Sequence, residues 1–283
     1  MIESEPISIS VLMPVYKPNP QWLQASIESL NCQTFKHWKL ILSLDGNDPA
    51  TLASVDIAFR SIRNKERLFV VRGPRSGITS ALNRGLEACD TKYTARLDAD
   101  DICTLRRLEE QRELLEMNNR IVACGMQIQR MDADGKYLGK KANNYPVGPT
   151  STLVVGALFN NPIAHPVLMF RTQLVKDIGG YRPKVCMEDY DLIARLCILG
   201  EVTNLESIGL EYREHKGQHS RKIRPNKKDL LAARILMLKR LATRNPLSVV
   251  LIIAPIALYL IGPFGEHKMR MLLHKIRRCA NVA

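Results

Sequence analysis

An α/β body followed by a helical appendage is the fold class that three features of this 283-residue sequence predict. Short β-branched and aliphatic runs alternate with longer helical patterns through the first half, the mark of a sheet with crossover helices. Polar punctuation recurs at the carboxyl end of each short run, which is where open α/β sheets collect ligands. The excess of basic charge is confined to the end of the chain. Residues 212–283 hold 16 Lys and Arg against Glu214, Asp229 and Glu266, whereas residues 1–211 hold 25 of each sign. A body over 1–225, neutral through residue 211, and a basic, partly apolar segment over 226–283 are therefore expected.

In order, residues 7–13 read as a first strand, Pro14 and Pro18 punctuate a loop, and 22–30 reads as a helix. A buried strand follows at 38–44 and closes on Asp45-Gly46-Asn47-Asp48. The next unit is a strand at 67–72, a glycine-containing loop at 73–77 and a helix over 78–88. A fourth strand at 92–97 ends in Asp98-Ala99-Asp100-Asp101, and the four carboxyl ends are predicted to converge on one crevice. Beyond residue 121 come an apolar strand, a hairpin signal at Asp132-Ala133-Asp134-Gly135, a strand at 165–171 and a helix at 188–199.

Composition removes several function classes. With 46% hydrophobic residues the chain buries a real core, which excludes a disordered tail protein. The neutral body lacks a basic face interleaved with aromatics, so nucleic acid is not an expected partner. The seven cysteines are scattered without a CxxC pair, which argues against a disulfide framework or zinc site and fits a reducing compartment. The acidic start, Met1-Ile2-Glu3-Ser4-Glu5-Pro6, lacks the basic region and apolar run of a signal peptide, so the body is expected in the cytoplasm.

In the appendage, residues 245–265 form a 21-residue stretch without a charge. Pro255 and Gly262-Pro263 interrupt it, and both flanks are basic, which opposes a single span. Met269, Leu272, Leu273 and Ile276 then recur on one helical face with cations on the other, the pattern of an interfacial helix. A monotopic or re-entrant attachment to an anionic membrane surface is expected, with a buried C-terminal hairpin as the alternative.

The most specific chemistry lies in Arg96-Leu97-Asp98-Ala99-Asp100-Asp101. Three carboxylates within four residues repel one another, and oxygen ligands select a hard cation, Mg²⁺ or Mn²⁺, which shares its remaining sites with phosphates. In an extended stretch Asp98 and Asp100 point the same way, so that one can reach a sugar hydroxyl while the other reaches the metal. The alternative is a solvated acidic turn in which Asp101 caps the run beginning at Thr104.

The order of motifs resembles a family 2 glycosyltransferase with the GT-A fold. Ser10-Val11-Leu12-Met13-Pro14-Val15-Tyr16 resembles its opening strand and nucleotide-facing loop, Ser29-Leu30-Asn31-Cys32-Gln33-Thr34 its helix-to-strand link, and Leu97-Asp98-Ala99-Asp100-Asp101 its DxD. His165-Pro166-Val167-Leu168-Met169-Phe170-Arg171, Ile178-Gly179-Gly180-Tyr181, Glu188-Asp189-Tyr190-Asp191-Leu192 and Tyr212-Arg213-Glu214-His215 follow in the family's order, so that the resemblance covers residues 7–222. It implies a GT-A-type mixed sheet flanked by helices, the nucleotide-diphospho-sugar transferase fold.

Carried over by position, the resemblance puts Pro14, Val15, Tyr16 and Asp45 at the nucleotide base, with Gly77, Asn83 and Asp98 completing the donor site. It makes Asp100 a metal ligand with His215 closing the metal sphere, and His219 the fallback. Asp189 becomes the general base, ranked above Asp191, with Glu188 and His165 on the acceptor side. Two departures stand out. The second strand ends in a single acid, Asp45, because Leu44 occupies the place of the other, and Gln218-His219-Ser220-Arg221-Lys222 lacks the tryptophan of the processive polymerases' QxxRW. Arg72, Arg75 and Arg84 are equally readable as phosphate contacts or surface cations.

The resemblance thus implies an inverting, metal-dependent transfer of a single sugar, with a UDP-sugar the favoured donor. The acceptor is a glycan or lipid-linked oligosaccharide of surface polysaccharide biosynthesis, met at the cytoplasmic face of the cell membrane. The alternatives are a membrane-tethered, non-catalytic sugar-nucleotide-binding or scaffold protein and a sugar nucleotidyltransferase. The latter calls for a Gly-rich, Arg-containing phosphate loop where this chain has Met13-Pro14-Val15-Tyr16-Lys17-Pro18.

Overall fold

Side-chain alternation organises the centre of the molecule. In strand β1 (Ile9–Val15), Ile9, Val11, Met13 and Val15 enter one hydrophobic cluster while Leu12 enters a second. A strand buried on both faces needs a layer of helices over each. Helices α1 (Pro20–Asn31), α2 (Pro49–Ser61) and α4 (Arg107–Met117) supply Leu23, Ile27, Leu30, Ala58, Leu108 and Leu115 to the first cluster. Helices α3 (Ile78–Glu87), α5 (Thr172–Asp177) and α6 (Glu188–Leu199) supply Leu82, Leu86, Val175, Tyr190 and Ile193 to the second. The computed structural model describes residues 6–139, 145–150, 153, 161–183, 187–218, 231, 232 and 235.

The remaining strands are β2 (Trp38–Leu44), β3 (Leu68–Val71), β4 (Tyr93–Arg96), β5 (Ile102–Cys103), β6 (Ile121–Met131), β7 (Met169–Arg171) and β8 (Glu201–Arg213). They form one eight-stranded mixed sheet in the order β3-β2-β1-β4-β7-β6-β8-β5. The β3-β2-β1-β4 half is parallel, so its carboxyl ends share one edge, while β7 runs antiparallel to both β4 and β6. Strand β8 runs parallel to β6 through register shifts, and near its end Leu210 and Glu211 pair with β5. That long strand delivers Arg213 beside the acidic turn that follows β4.

Several elements depart from the sequence reading, which places none of β5, α4, α5 and β8. Pro14 lies within β1 instead of in a loop, because its missing N–H faces the side where pairing with β4 has already ended at Leu12 and Arg96. The segment expected as a strand at 165–171 opens with a 3₁₀ turn, His165–Val167, and only Met169–Arg171 is strand. Helix α2 was not anticipated, although Asp48 caps it by accepting the Thr51 N–H at 3.2 Å and Pro49 occupies the first turn. The hairpin signal holds: Asp132 Oδ1 accepts from the N–H groups of Asp134 and Lys136 at 3.0 and 2.9 Å. The apolar run at 245–265 and the amphipathic pattern at 269–276 lie outside the described residues. Among the described residues no helix is long and apolar enough to cross a membrane.

Candidate active site

The acidic segment after β4 is a turn, not the extended stretch expected, with the Asp101 N–H donating to the Asp98 carbonyl at 3.4 Å. The turn sends its carboxylates to separate partners. Asp98 pairs with the guanidinium of Arg96, which is buried at the end of β4. Asp100 Oδ2 meets His215 Nε2 at 2.9 Å. Asp101 is fully buried and its Oδ1 accepts the Arg213 N–H at 2.8 Å, so it anchors β8 and does not cap α4. The guanidinium of Arg213 donates in turn to the Asp100 carbonyl at 3.0 Å. Trp22 of α1 packs against both newcomers, 4.6 Å from the His215 ring and 5.3 Å from the Arg213 guanidinium.

Burial, followed by the charges of Asp100 and Asp98, pushes the Asp101 carboxyl well above the ordinary carboxylate range. Its Oδ2 is buried without a hydrogen-bond partner, and one carboxylate oxygen from each of Asp98, Asp100 and Asp101 lies within 4.8 Å of the others. A hard divalent cation fits this donor set: it accepts oxygen ligands and adds to the positive charge that Arg96 brings to Asp98.

At the end of β2, Asp45 is buried and both its oxygens are engaged. Oδ1 accepts the N–H groups of Ser76 and Gly77 at 2.8 and 3.1 Å, and Oδ2 accepts that of Gly77 at 3.1 Å. Gly77 precedes α3 with φ of 89°, a conformation that favours glycine, and the Asp45 carboxylate holds the N–H groups of the loop just before the helix, near its positive end. Arg84 reaches back to the Leu44 carbonyl at 2.8 Å. Tyr16, just past β1, lies under the guanidinium of Arg75, 4.0 Å from the ring centroid, and that guanidinium also donates to the tyrosine hydroxyl. Pro14 and Val15 complete the end of β1 beside these groups.

A second acidic group stands at the start of α6. Asp189 Oδ2 accepts from Asn161 Nδ2 at 2.7 Å and Oδ1 accepts the Tyr190 N–H at 2.7 Å. Burial raises the Asp189 carboxyl above its ordinary range, and burial followed by the charge of Asp189 raises that of Glu188 to about 7. Asp191, the rival carboxylate, is spent on Arg195 at 2.8 Å and Arg182 at 3.3 Å.

Two predicted site residues have structural duties instead. His165, expected beside the acceptor, is buried; its Nε2 lies 2.9 Å from the Tyr181 hydroxyl, and burial followed by the charge of Arg96 holds the ring well below the ordinary histidine range, hence neutral. Asn83, expected at the donor, spends its amide on the Tyr181 backbone, donating to the carbonyl at 2.7 Å and accepting the N–H at 2.8 Å. Sequence reasoning passed over Arg96, Asn161, Trp22 and Arg213. An arginine within the strand-like run two residues before the DxD was the one legible signal, since clustered carboxylates call for a cation. His219 lies outside the described residues.

Comparison with known proteins agrees with this geometry. Residues 10–179 match the family described as glycosyl transferase family 2. The chain is 32% identical to the amylovoran biosynthesis glycosyltransferase AmsE of Erwinia amylovora, over 72% of this chain and 75% of that protein. It is 28% identical to the O-antigen biosynthesis glycosyltransferase WbnJ of Escherichia coli, over 73% of this chain and 80% of that one. Among solved structures, TarS 1–349 of S. aureus in complex with UDP-GlcNAc superposes with a TM-score of 0.62 at 17% identity. The match covers 83% of this chain and 66% of that chain, and it establishes a shared fold.

Proposed function

The chain belongs to glycosyl transferase family 2 and is a glycosyltransferase, and from that premise we propose that it moves a single sugar, with inversion, from a nucleoside-diphosphate sugar to a glycan or lipid-linked oligosaccharide in surface polysaccharide biosynthesis. The observation that carries this reading is the division of the site into two acidic groups with different surroundings. One is a carboxylate cluster completed by His215; the other is a buried, proton-seeking carboxylate at the start of α6. UDP is the favoured nucleotide, since the similar TarS structure holds UDP-GlcNAc and a further relative from Escherichia coli, 26% identical, is named as a UDP-Gal galactosyltransferase.

On this reading the end of β1, the Asp45-held loop and Asp98 form the donor wall, and Asp189 faces the acceptor. Asp189 takes the proton of the acceptor hydroxyl as that oxygen bonds to the anomeric carbon. The bond from the anomeric carbon to the diphosphate oxygen breaks on the opposite side, and its electron pair leaves with the nucleoside diphosphate. No covalent intermediate is required, so configuration inverts. Asp100 and His215, with Asp98 and Asp101 beside them, would hold Mg²⁺ or Mn²⁺, which when bound stabilises negative charge on the departing diphosphate. Arg96 balances Asp98 on the donor side and bears electrostatically on Glu188 and Asp189. Segment 226–283, with its 245–265 apolar run and basic flanks, would hold the enzyme at the anionic cytoplasmic face of the membrane, where a lipid-linked acceptor resides.

The test is calorimetric binding of UDP, GDP and dTDP, with and without Mn²⁺, to the wild type and to Asp100→Asn. Metal-dependent binding of one nucleotide, lost in the variant, is the expected outcome. Binding of none of them to the wild type, or binding indifferent to both metal and substitution, would sink the donor-site reading.

A further inference from the structure

Resting on the reading of Asp189 as the base, we propose that Asn161 is a positioning residue that fixes the Asp189 carboxylate for proton transfer. Its Nδ2 donates to Asp189 Oδ2 at 2.7 Å, while its Oδ1 accepts the Ile163 N–H at 3.4 Å. The second bond sets the orientation of the amide, because with the oxygen turned to Ile163 the nitrogen is the group that meets the carboxylate.

The segment carrying Asn161 is held at several points. Pro162 restricts the backbone of the residue before it, and its carbonyl accepts from Asn204 Nδ2 at 2.9 Å. Ile163 is fully buried, His165 is tied to the Tyr181 hydroxyl at 2.9 Å, and the Val167 carbonyl accepts from Gln111 Nε2 at 2.8 Å. Asn161 is therefore a fixed donor and not a loop side chain that happens to touch. Asp189 is thus gripped by one bond on each oxygen, from Asn161 and from the Tyr190 N–H, on two separate elements. A carboxylate has about four lone-pair sites, so these bonds fix its orientation and leave it acceptor capacity for the acceptor hydroxyl.

Among the described residues, the charged and titratable neighbours of Asp189 include Glu188 on the same helix, Arg96 at the end of β4 and Tyr181 in the preceding turn. None of them supplies the bond that Asn161 makes. Losing that bond both loosens the carboxylate and removes a donor that favours its charged form, so the Asp189 titration midpoint rises.

The test uses the full chain with Mn²⁺, and the variants Asn161→Ala, Asn161→Asp and Asp189→Asn. Turnover is read as UDP release from UDP-GlcNAc and from UDP-galactose. The Asp189 midpoint is read by carbon NMR of aspartate-labelled protein, assigned by the signal missing from Asp189→Asn. In Asn161→Ala, kcat falls by about tenfold or more, KM for the donor holds, and the Asp189 midpoint moves up by about one pH unit. Asn161→Asp keeps the shape and exchanges the donor for a like charge, so its shift is at least as large and it does not restore turnover. Rescue of kcat by Asn161→Asp, or an Asp189 midpoint unmoved in both variants, would reduce Asn161 to a packing role and overturn the inference. Undiminished turnover in Asp189→Asn would instead sink the base reading while leaving the NMR comparison standing. Should the alanine variant fail to fold, the isosteric aspartate variant decides the question.

Discussion

Replacing Asn83 by alanine is expected to destabilise the protein without weakening nucleotide binding, although its place in the sequence suggests a donor contact. Its amide makes two short bonds to the backbone of Tyr181, a residue with 0% exposure. Truncation leaves a backbone N–H and a backbone C=O without partners, at about 1–3 kcal/mol each. Because Asn83 is only partly buried, water recovers some of that, and a net loss of about 2–4 kcal/mol is expected. At roughly 2–4 °C per kcal/mol for a domain of this size, the melting midpoint falls by about 4–16 °C. Asn83→Asp keeps the acceptor for the Tyr181 N–H but sets a carboxylate against the Tyr181 carbonyl. That repulsion raises the folded-state pKa of the introduced carboxyl above its unfolded value, so this variant gains stability as pH falls through the folded midpoint, whereas the alanine deficit stays constant. Urea unfolding followed by the fluorescence of Trp22 and Trp38, at neutral and acidic pH, reads both effects. An alanine variant within about 0.5 kcal/mol of wild type, or one that keeps its stability and loses nucleotide affinity, would refute the reasoning and return Asn83 to the donor site.

Glu188→Gln is expected to stabilise the protein above neutral pH and not below pH 4.5. The folded-state pKa of Glu188 is raised to about 7, so the wild type is fully stable with respect to this group below its unfolded value and loses that stability as pH rises through the folded one. The difference is about 2–3 kcal/mol, and melting midpoints at pH 8 and pH 4.5 check it; equal shifts at both would rule out burial of the charge as the cause. Removal of residues 226–283 is expected to move the protein from membrane to soluble fractions with UDP affinity intact, as read by flotation and calorimetry. A truncated protein that still floats with membranes would take the anchor away from this segment.

How far the sequence carried depends on which forces acted locally. Strand β2 and helix α6 were legible to the residue, because a buried run bounded by turn residues and an acidic helix start are both written in neighbouring positions. Strand β8 was not. Its pattern, Glu201–Arg213, exposes Glu206, Ser207 and Ile208 in the middle, and register shifts against β6 break the alternation that would reveal it. Asp100 and His215 were legible as an acid and an imidazole with metal-binding chemistry, but their 2.9 Å meeting depends on β8 and so on pairing across the sheet. The bond of Asn83 to Tyr181 was not legible, because its type suits a ligand equally well and its partner lies 98 residues later.

The three aspartates of the acidic turn illustrate why spacing alone could not assign them. Had the stretch been extended, Asp98 and Asp100 would share a face and differ only in what approached them. The turn at Asp98 to Asp101 separates them instead, and each then takes the partner that its own surroundings supply. Asp98 faces the Arg96 guanidinium buried at the end of β4, Asp100 meets an imidazole, and Asp101 turns inward to the β8 backbone. The inward member is the costly one, since burial and two like charges drive it toward protonation. It keeps its place because the Arg213 N–H bonds it and because it fixes β8, the strand that leads into His215. Stability and chemistry are therefore joined at Asp101. A divalent cation bound by its neighbours would relieve the repulsion that burial creates, so metal binding and the docking of the end of β8 are expected to strengthen one another.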